Sequence, residues 1–168
     1  MSVPISPPEL LADDHLTEAF QCGEPSLGDW LKRRARANQV AGASRTYVAC
    51  ESKVVVGYYA LASGAVAPAA VPGRFRRNMP DPIPVVVLAR LAVDLSCQGR
   101  GLGRGLFRDA ARRVAHAADV IGIRGIVVHA ISEEARRFYA GIGFDTCPSE
   151  AMSLVVTLAD LRAAPAGQ

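Results

Sequence analysis

A chain of 168 residues, 50% hydrophobic and 21% charged, supports one compact domain with a sizeable core. Its fifteen glycines and eleven prolines follow no period, which excludes collagen-like and low-complexity chains. The net charge is only +3, no apolar run reaches the roughly 18 residues of a membrane span, and MSVPISPPELLADD lacks a secretory leader's basic start and apolar stretch, so a cytoplasmic protein is expected.

Asp13 to Phe20 is predicted as a short helix with an Asp cap. Pro25-Ser26 opens a second helix, with Leu27, Trp30 and Leu31 on one side and Lys32, Arg33, Arg34 and Arg36 mostly on the other. Ser44–Glu51 and Val54–Ala62 are β-rich runs joined at Ser52-Lys53, the pattern of a hairpin. The five prolines between Pro68 and Pro84 rule out a central strand and predict a surface loop, of a length that is often functional. Val85–Asp94, apolar except at Arg90, reads as a buried central strand.

A glycine-rich turn follows, then a helix over about Gly103–Ala118 with Leu106, Phe107, Ala110 and Val114 inward and Arg108, Arg112 and Arg113 outward. Gly125–Ala130 is another short strand. Ser132 caps a helix running to Gly141, with Glu133 and Glu134 favourably placed in its first turn. Gly143–Leu158 reads as two short strands around Pro148, and 163–168 as a frayed tail. Alternating strands and helices in the second half predict a mixed α/β sheet.

Charge is unevenly placed. Residues 1–30 hold six acids and no Lys or Arg, whereas 31–168 hold all 19 basic residues against ten acids, a charge of +9. A body this basic suits a polyanionic partner, or is simply a solvated Arg face. Cys22, Cys50, Cys97 and Cys147 stand far apart, as do His15, His116 and His129, so no metal site is expected.

The sharpest local feature is Gln98-Gly99-Arg100-Gly101-Leu102-Gly103 between a strand and a helix. Glycines at 99, 101, 103 and 105 let successive amides turn toward one point, and the helix start adds free N–H groups, together a phosphate or pyrophosphate site. The alternative is a turn that merely joins two elements. A P-loop fails for want of Lys, and GxGxxG fails because the sixth position is Arg104 or Leu106.

This segment resembles the Q/R-x-x-G-x-G/A element of the GNAT acetyltransferases. The resemblance is closest to the GNAT-fold toxins of bacterial type II toxin–antitoxin modules, through WLKRRARANQ, SRTYVA, GYYALASG, RNMPDPIPVVVLARLAVD and VHAISEEARRFYAGIGF. It implies a single-domain GNAT (acyl-CoA N-acyltransferase) fold over 1–162, with a mixed central sheet flanked by helices. It also implies that acetyl-CoA is bound through Leu91, Ala92, Val93, Gln98, Gly99, Arg100, Gly101, Leu102, Gly103, Arg104 and Ser132. By the same resemblance Tyr139 is the general acid, the acceptor is the α-amine of an aminoacyl-tRNA, and translation is inhibited. The implied partners are a ribbon-helix-helix antitoxin, operator DNA through that antitoxin alone, and a second copy of the chain.

The residues fit that chemistry. A phenol is a neutral proton donor at pH 7; from the sequence alone a Tyr beside Phe138 reads first as a core residue, and the resemblance is what makes it the acid. No carboxylate is an obvious base: Glu133 and Glu134 serve the helix dipole, and Asp94 is free to order the loop. An α-amine titrates at about pH 7.7–8.0 and needs less help than Lys. His129 either relays a proton or hydrogen-bonds to a neighbouring strand. Candidates for tRNA are Lys32, Arg33, Arg36, Arg74, Arg76, Arg77 and Arg90. Arg90, a charge in an apolar strand, serves either RNA or a salt bridge to Asp81 or Glu51. The rival readings are a GNAT enzyme for a small-molecule or protein amine, and a binding module without turnover.

Overall fold

The computed structural model describes residues 3–163. Seven strands, β1 (Glu9–Leu10), β2 (Arg45–Glu51), β3 (Val54–Val66), β4 (Ile83–Val93), β5 (Gly125–His129), β6 (Asp145–Thr146) and β7 (Ser153–Thr157), form one sheet in the order β1-β2-β3-β4-β5-β7-β6. The helices are α1 (Pro25–Arg33), α2 (Ala35–Val40), α3 (Gly73–Arg76), α4 (Leu102–Ala117), α5 (Glu133–Gly141) and α6 (Leu158–Ala163). β4 and β5 run parallel, with Val86 opposite Ile126, and α4 makes the crossover that parallel strands require. β1–β2, β2–β3, β5–β7 and β6–β7 are antiparallel, so the sheet is mixed, as expected.

Two compact units build this fold: the chain up to Ala62 with Ala89–Ala110, and Ser63–Leu88 with the chain from Ala111 onward. The first packs Leu11, Phe20, Leu27, Leu31, Val48, Val55, Tyr58 and Ala92 into one core. Its hairpin turns at Ser52 and Lys53, whose φ of 47° and 71° are the left-handed pair of a tight two-residue turn. α1 starts on Pro25, which lacks the N–H that a first turn would leave unpaired, and buries Leu27 and Leu31.

The helix expected over Asp13–Phe20 does not form. Leu16 N–H donates to Lys53 O (2.8 Å) and Val55 N–H to Leu16 O (2.9 Å), and an α-helix would have used those groups internally. The acidic leader is instead strapped along β2 and the hairpin. Glu9 Oε1 shares a hydrogen bond with His15 Nε2 (2.7 Å), and Asp14 pairs with Lys53 (3.0 Å), which matches part of the leader's charge inside the fold.

In the second unit Val71, Phe75, Ile83, Val85, Val127, Cys147 and Val155 form the core. The Pro68–Pro84 stretch is therefore more than a surface loop: it holds α3, buries Val71 and Phe75, and gives Ile83 and Pro84 to β4. Arg124 clamps it, donating from Nε to Phe75 O and from Nη2 to Arg74 O, both at 2.8 Å. β4 is central but not fully buried. Ala89 is exposed, Val86, Val87, Leu91 and Val93 are half-buried, and the buried positions switch from Ile83 and Val85 to Leu88 and Ala92. Ser132 caps α5 by accepting from Ala135 N–H at 3.1 Å. α6 was not anticipated; it takes in Ala163, and residues 164–168 of the expected tail lie outside the described residues.

Candidate active site

The glycine segment is pinned before its first glycine. Asp94 accepts from Gln21 N–H (2.9 Å), Ser96 N–H (3.0 Å) and Ser96 Oγ (2.6 Å). Burial raises its carboxyl pKa, but those three donors outweigh burial and hold the group below the usual range. The expectation that Asp94 orders the loop is met. Gln98 Nε2 donates to Cys22 O and Val93 O, both at 2.9 Å, and Arg100 Nη2 donates to Ser96 O at 2.7 Å. Both side chains thus brace the segment.

Beyond that brace the backbone opens. Gly99 and Gly101 both have φ of +80°, and a Cβ at either would meet nothing within 4 Å. Gly99, Arg100 and Gly101 are exposed, Leu102 and Gly103 half-buried, and Arg104 exposed. α4 starts at Leu102, and the unpaired amides and dipole of a 16-residue helix end at these glycines. The helix is seated on β3: a Cβ on Gly57 would come within 3.1 Å of Leu102 and Leu106, and the Tyr59 hydroxyl donates to Asp109. Pyrophosphate is the group such a cradle fits.

Tyr139 lies in the second unit on α5, only 6% exposed. Its ring packs edge-on against Phe138 (5.1 Å) and Phe144 (5.4 Å). Burial pushes its pKa well above the ordinary phenol value. Among the described residues its hydroxyl has no hydrogen-bond partner, in contrast to Tyr58, whose hydroxyl donates to Leu27 O at 2.7 Å. His129, exposed at the end of β5, shares a 2.8 Å hydrogen bond with Ser153 Oγ, the structural alternative expected of it. The Ser132 hydroxyl is engaged as the α5 cap.

The basic candidates divide. Arg36 donates to Ala12 O and His15 O (2.6 Å), Arg74 pairs with Asp145 and Asp160, and Arg76 donates to Val71 O (2.8 Å). Lys32, Arg33 and Arg77 have no partner among the described residues. Arg90 pairs with neither Asp81 nor Glu51. Its guanidinium sits 5.0 Å over the Trp30 ring and donates to Ala89 O at 3.2 Å, while Glu51 accepts the Cys97 thiol at 3.3 Å. Sequence reasoning missed Trp30, because a residue on the apolar side of an amphipathic helix carries no sign of a partner sixty positions away. Among the described residues no group of His, Cys, Asp and Glu is placed to hold a metal, and no helix is long and apolar enough to cross a membrane.

Comparison with known proteins gives three findings. Residues 23–154 match the acetyltransferase (GNAT) domain model. The chain is 52% identical over 158 residues, 94% of its length and 95% of the relative's, to a tRNA-acetylating toxin of Mycobacterium tuberculosis. It is similar to the solved structure of AtaT complexed with acetyl-methionyl-tRNAfMet (30% identity, TM-score 0.87, covering 95% and 98% of the two chains), and to AtaTR bound with AcCoA (30% identity, TM-score 0.80, covering 96% of each).

Proposed function

Because the chain belongs to the GNAT acetyltransferase family, we propose that it is the toxin of a type II toxin–antitoxin module, which transfers acetyl from acetyl-CoA to the α-amine of an aminoacyl-tRNA and so inhibits translation. The near end-to-end identity with the mycobacterial tRNA-acetylating toxin carries this reading. The acetyltransferase domain runs over 1–162, and the protein works in the cytoplasm as a homodimer. A ribbon-helix-helix antitoxin is its partner, through which alone it meets operator DNA.

Acetyl-CoA, when bound, supplies the acetyl thioester. The Gly99–Gly103 amides and the start of α4 hold its pyrophosphate, since positive φ and open space at Gly99 and Gly101 let the backbone approach closely. Arg104, exposed on the first turn of α4, adds a cation. Leu91, Ala92 and Val93 offer backbone groups to the pantetheine arm. As the C–N bond forms and the thioester C–S bond breaks, Tyr139 would donate its phenolic proton to the departing sulfur and regain one as the new amide nitrogen sheds its proton to solvent; its hydroxyl has no competing acceptor among the described residues. The acceptor amine needs no dedicated base: an α-amine near pKa 7.7–8.0, lowered further by the adjacent ester, has a useful neutral fraction at about pH 7.

The pH profile follows from these two groups. The rate rises as the amine loses its proton, then stays level to above about pH 10, because burial raises the pKa of Tyr139 beyond the ordinary phenol value. Single-turnover rates across pH measure this, and a descending limb between pH 8 and about 9.5 would assign the acid to another group.

Incubation of the purified protein with labelled acetyl-CoA and total charged tRNA tests the reading. Label on the α-amines of aminoacyl esters supports it. Label on free small amines or protein amines alone would make this a different GNAT enzyme, and no turnover would make it a binding module.

A further inference from the structure

We propose that Arg90, seated on the indole of Trp30, binds a backbone phosphate at the acceptor end of the tRNA, and that Trp30 is its positioning residue; this rests on the function proposed above. Arg90 interrupts an apolar strand, where a charge costs free energy unless it is paired or used. It has no carboxylate partner among the described residues. Its one hydrogen bond goes to Ala89 O at 3.2 Å, and its Nε is buried without an acceptor. The chain therefore holds a guanidinium in place and leaves most of its donors unfilled.

The holding is specific. Trp30 lies 5.0 Å beneath the guanidinium and stacks at 6.0 Å and 11° on Tyr58. Tyr58 is in turn fixed by its hydroxyl on Leu27 O (2.7 Å) and by Phe20 against its ring (5.6 Å). A guanidinium stacked on a locked ring loses little freedom on binding, and its planar fork matches phosphate bidentately. Arg33, exposed and unpaired among the described residues, follows Trp30 by three positions and so shares its helix face, placing a second cation beside the first. The coenzyme's pyrophosphate is not the anion. Arg90 and Asp94 are four strand residues apart, about 13 Å, and the glycine cradle begins only beyond Asp94.

The test is steady-state kinetics of R90A, R90K, W30A and W30F with aminoacyl-tRNA and acetyl-CoA varied in turn over a salt series. R90A is expected to raise KM for aminoacyl-tRNA about tenfold or more, with kcat and KM for acetyl-CoA little changed. Its log–log salt slope is expected to fall by about 0.7–1, one phosphate contact. R90K keeps charge and stem, hence the fold and most of the slope, yet loses the fork and keeps a raised KM. W30A raises the same KM several-fold, and W30F restores it. An unchanged tRNA KM and slope in R90A and R90K would overturn the assignment, and a rise in acetyl-CoA KM instead would give the anion to the coenzyme. A wild-type protein that acetylates no aminoacyl-tRNA would remove the function reading itself, whereas turnover with unaffected Arg90 variants removes only this one.

Discussion

Tyr139→Phe is expected to lower acetyl transfer by about a hundredfold or more, while acetyl-CoA affinity and folding stability stay where they are. The substitution removes one oxygen. The ring keeps its edge-on contacts with Phe138 and Phe144. No protein group loses a partner, because the hydroxyl has none among the described residues, so stability should change by no more than about 0.5 kcal/mol. Tyr58→Phe makes the informative contrast: it deletes the bond to Leu27 O and should cost about 1 kcal/mol. Denaturant midpoints, coenzyme titration and single-turnover rates on Tyr139→Phe separate the roles. Normal turnover would take Tyr139 out of the chemistry, and a large loss of stability would make its hydroxyl structural.

Gly101→Val is expected to weaken acetyl-CoA binding by more than about tenfold, measured by calorimetric titration. The reason is conformational. A Cβ at Gly101 meets nothing within 4 Å, so there is no clash, but φ of +80° strains a β-branched residue by about 1–3 kcal/mol. Relieving that strain rotates the neighbouring amides away from the ligand. Asn tolerates positive φ far better, so Gly101→Asn should lose much less affinity than Gly101→Val. Unchanged affinity in Gly101→Val would remove the loop from coenzyme binding, and equal losses for Asn and Val would point to bulk instead of backbone geometry.

Much of the fold was legible where the signal is local. The hairpin at Ser52-Lys53, the Ser132 cap of α5 and the inward face of α4 each depend on residues within a few positions of one another. The two misread segments depend on distant partners. Asp13–Phe20 has helical composition, but its backbone is claimed by Lys53 and Val55. The proline-rich stretch has surface composition, yet Arg124 holds it from 49 and 50 positions away, with Val71 and Phe75 inside the core.

The candidate site divides along the same line. The glycine cradle is a property of adjacent residues, since φ near +80° is open to glycine by its own chemistry, and so it stands in the sequence. Tyr139 could be named by resemblance, while the absence of a partner on its hydroxyl among the described residues depends on what packs around it. Charge counting set the six acids of residues 1–30 against a +9 body and offered Arg90 a carboxylate. The sequence alone thus determines where glycines let the backbone take positive φ, and that the body is basic. Only the tertiary structure decides which cations the fold itself consumes, as with Arg36, Arg74 and Arg76, and which have no partner among the described residues, as with Lys32, Arg33 and Arg77. Ion pairing and stacking are fixed by proximity across the fold, and composition carries no record of proximity.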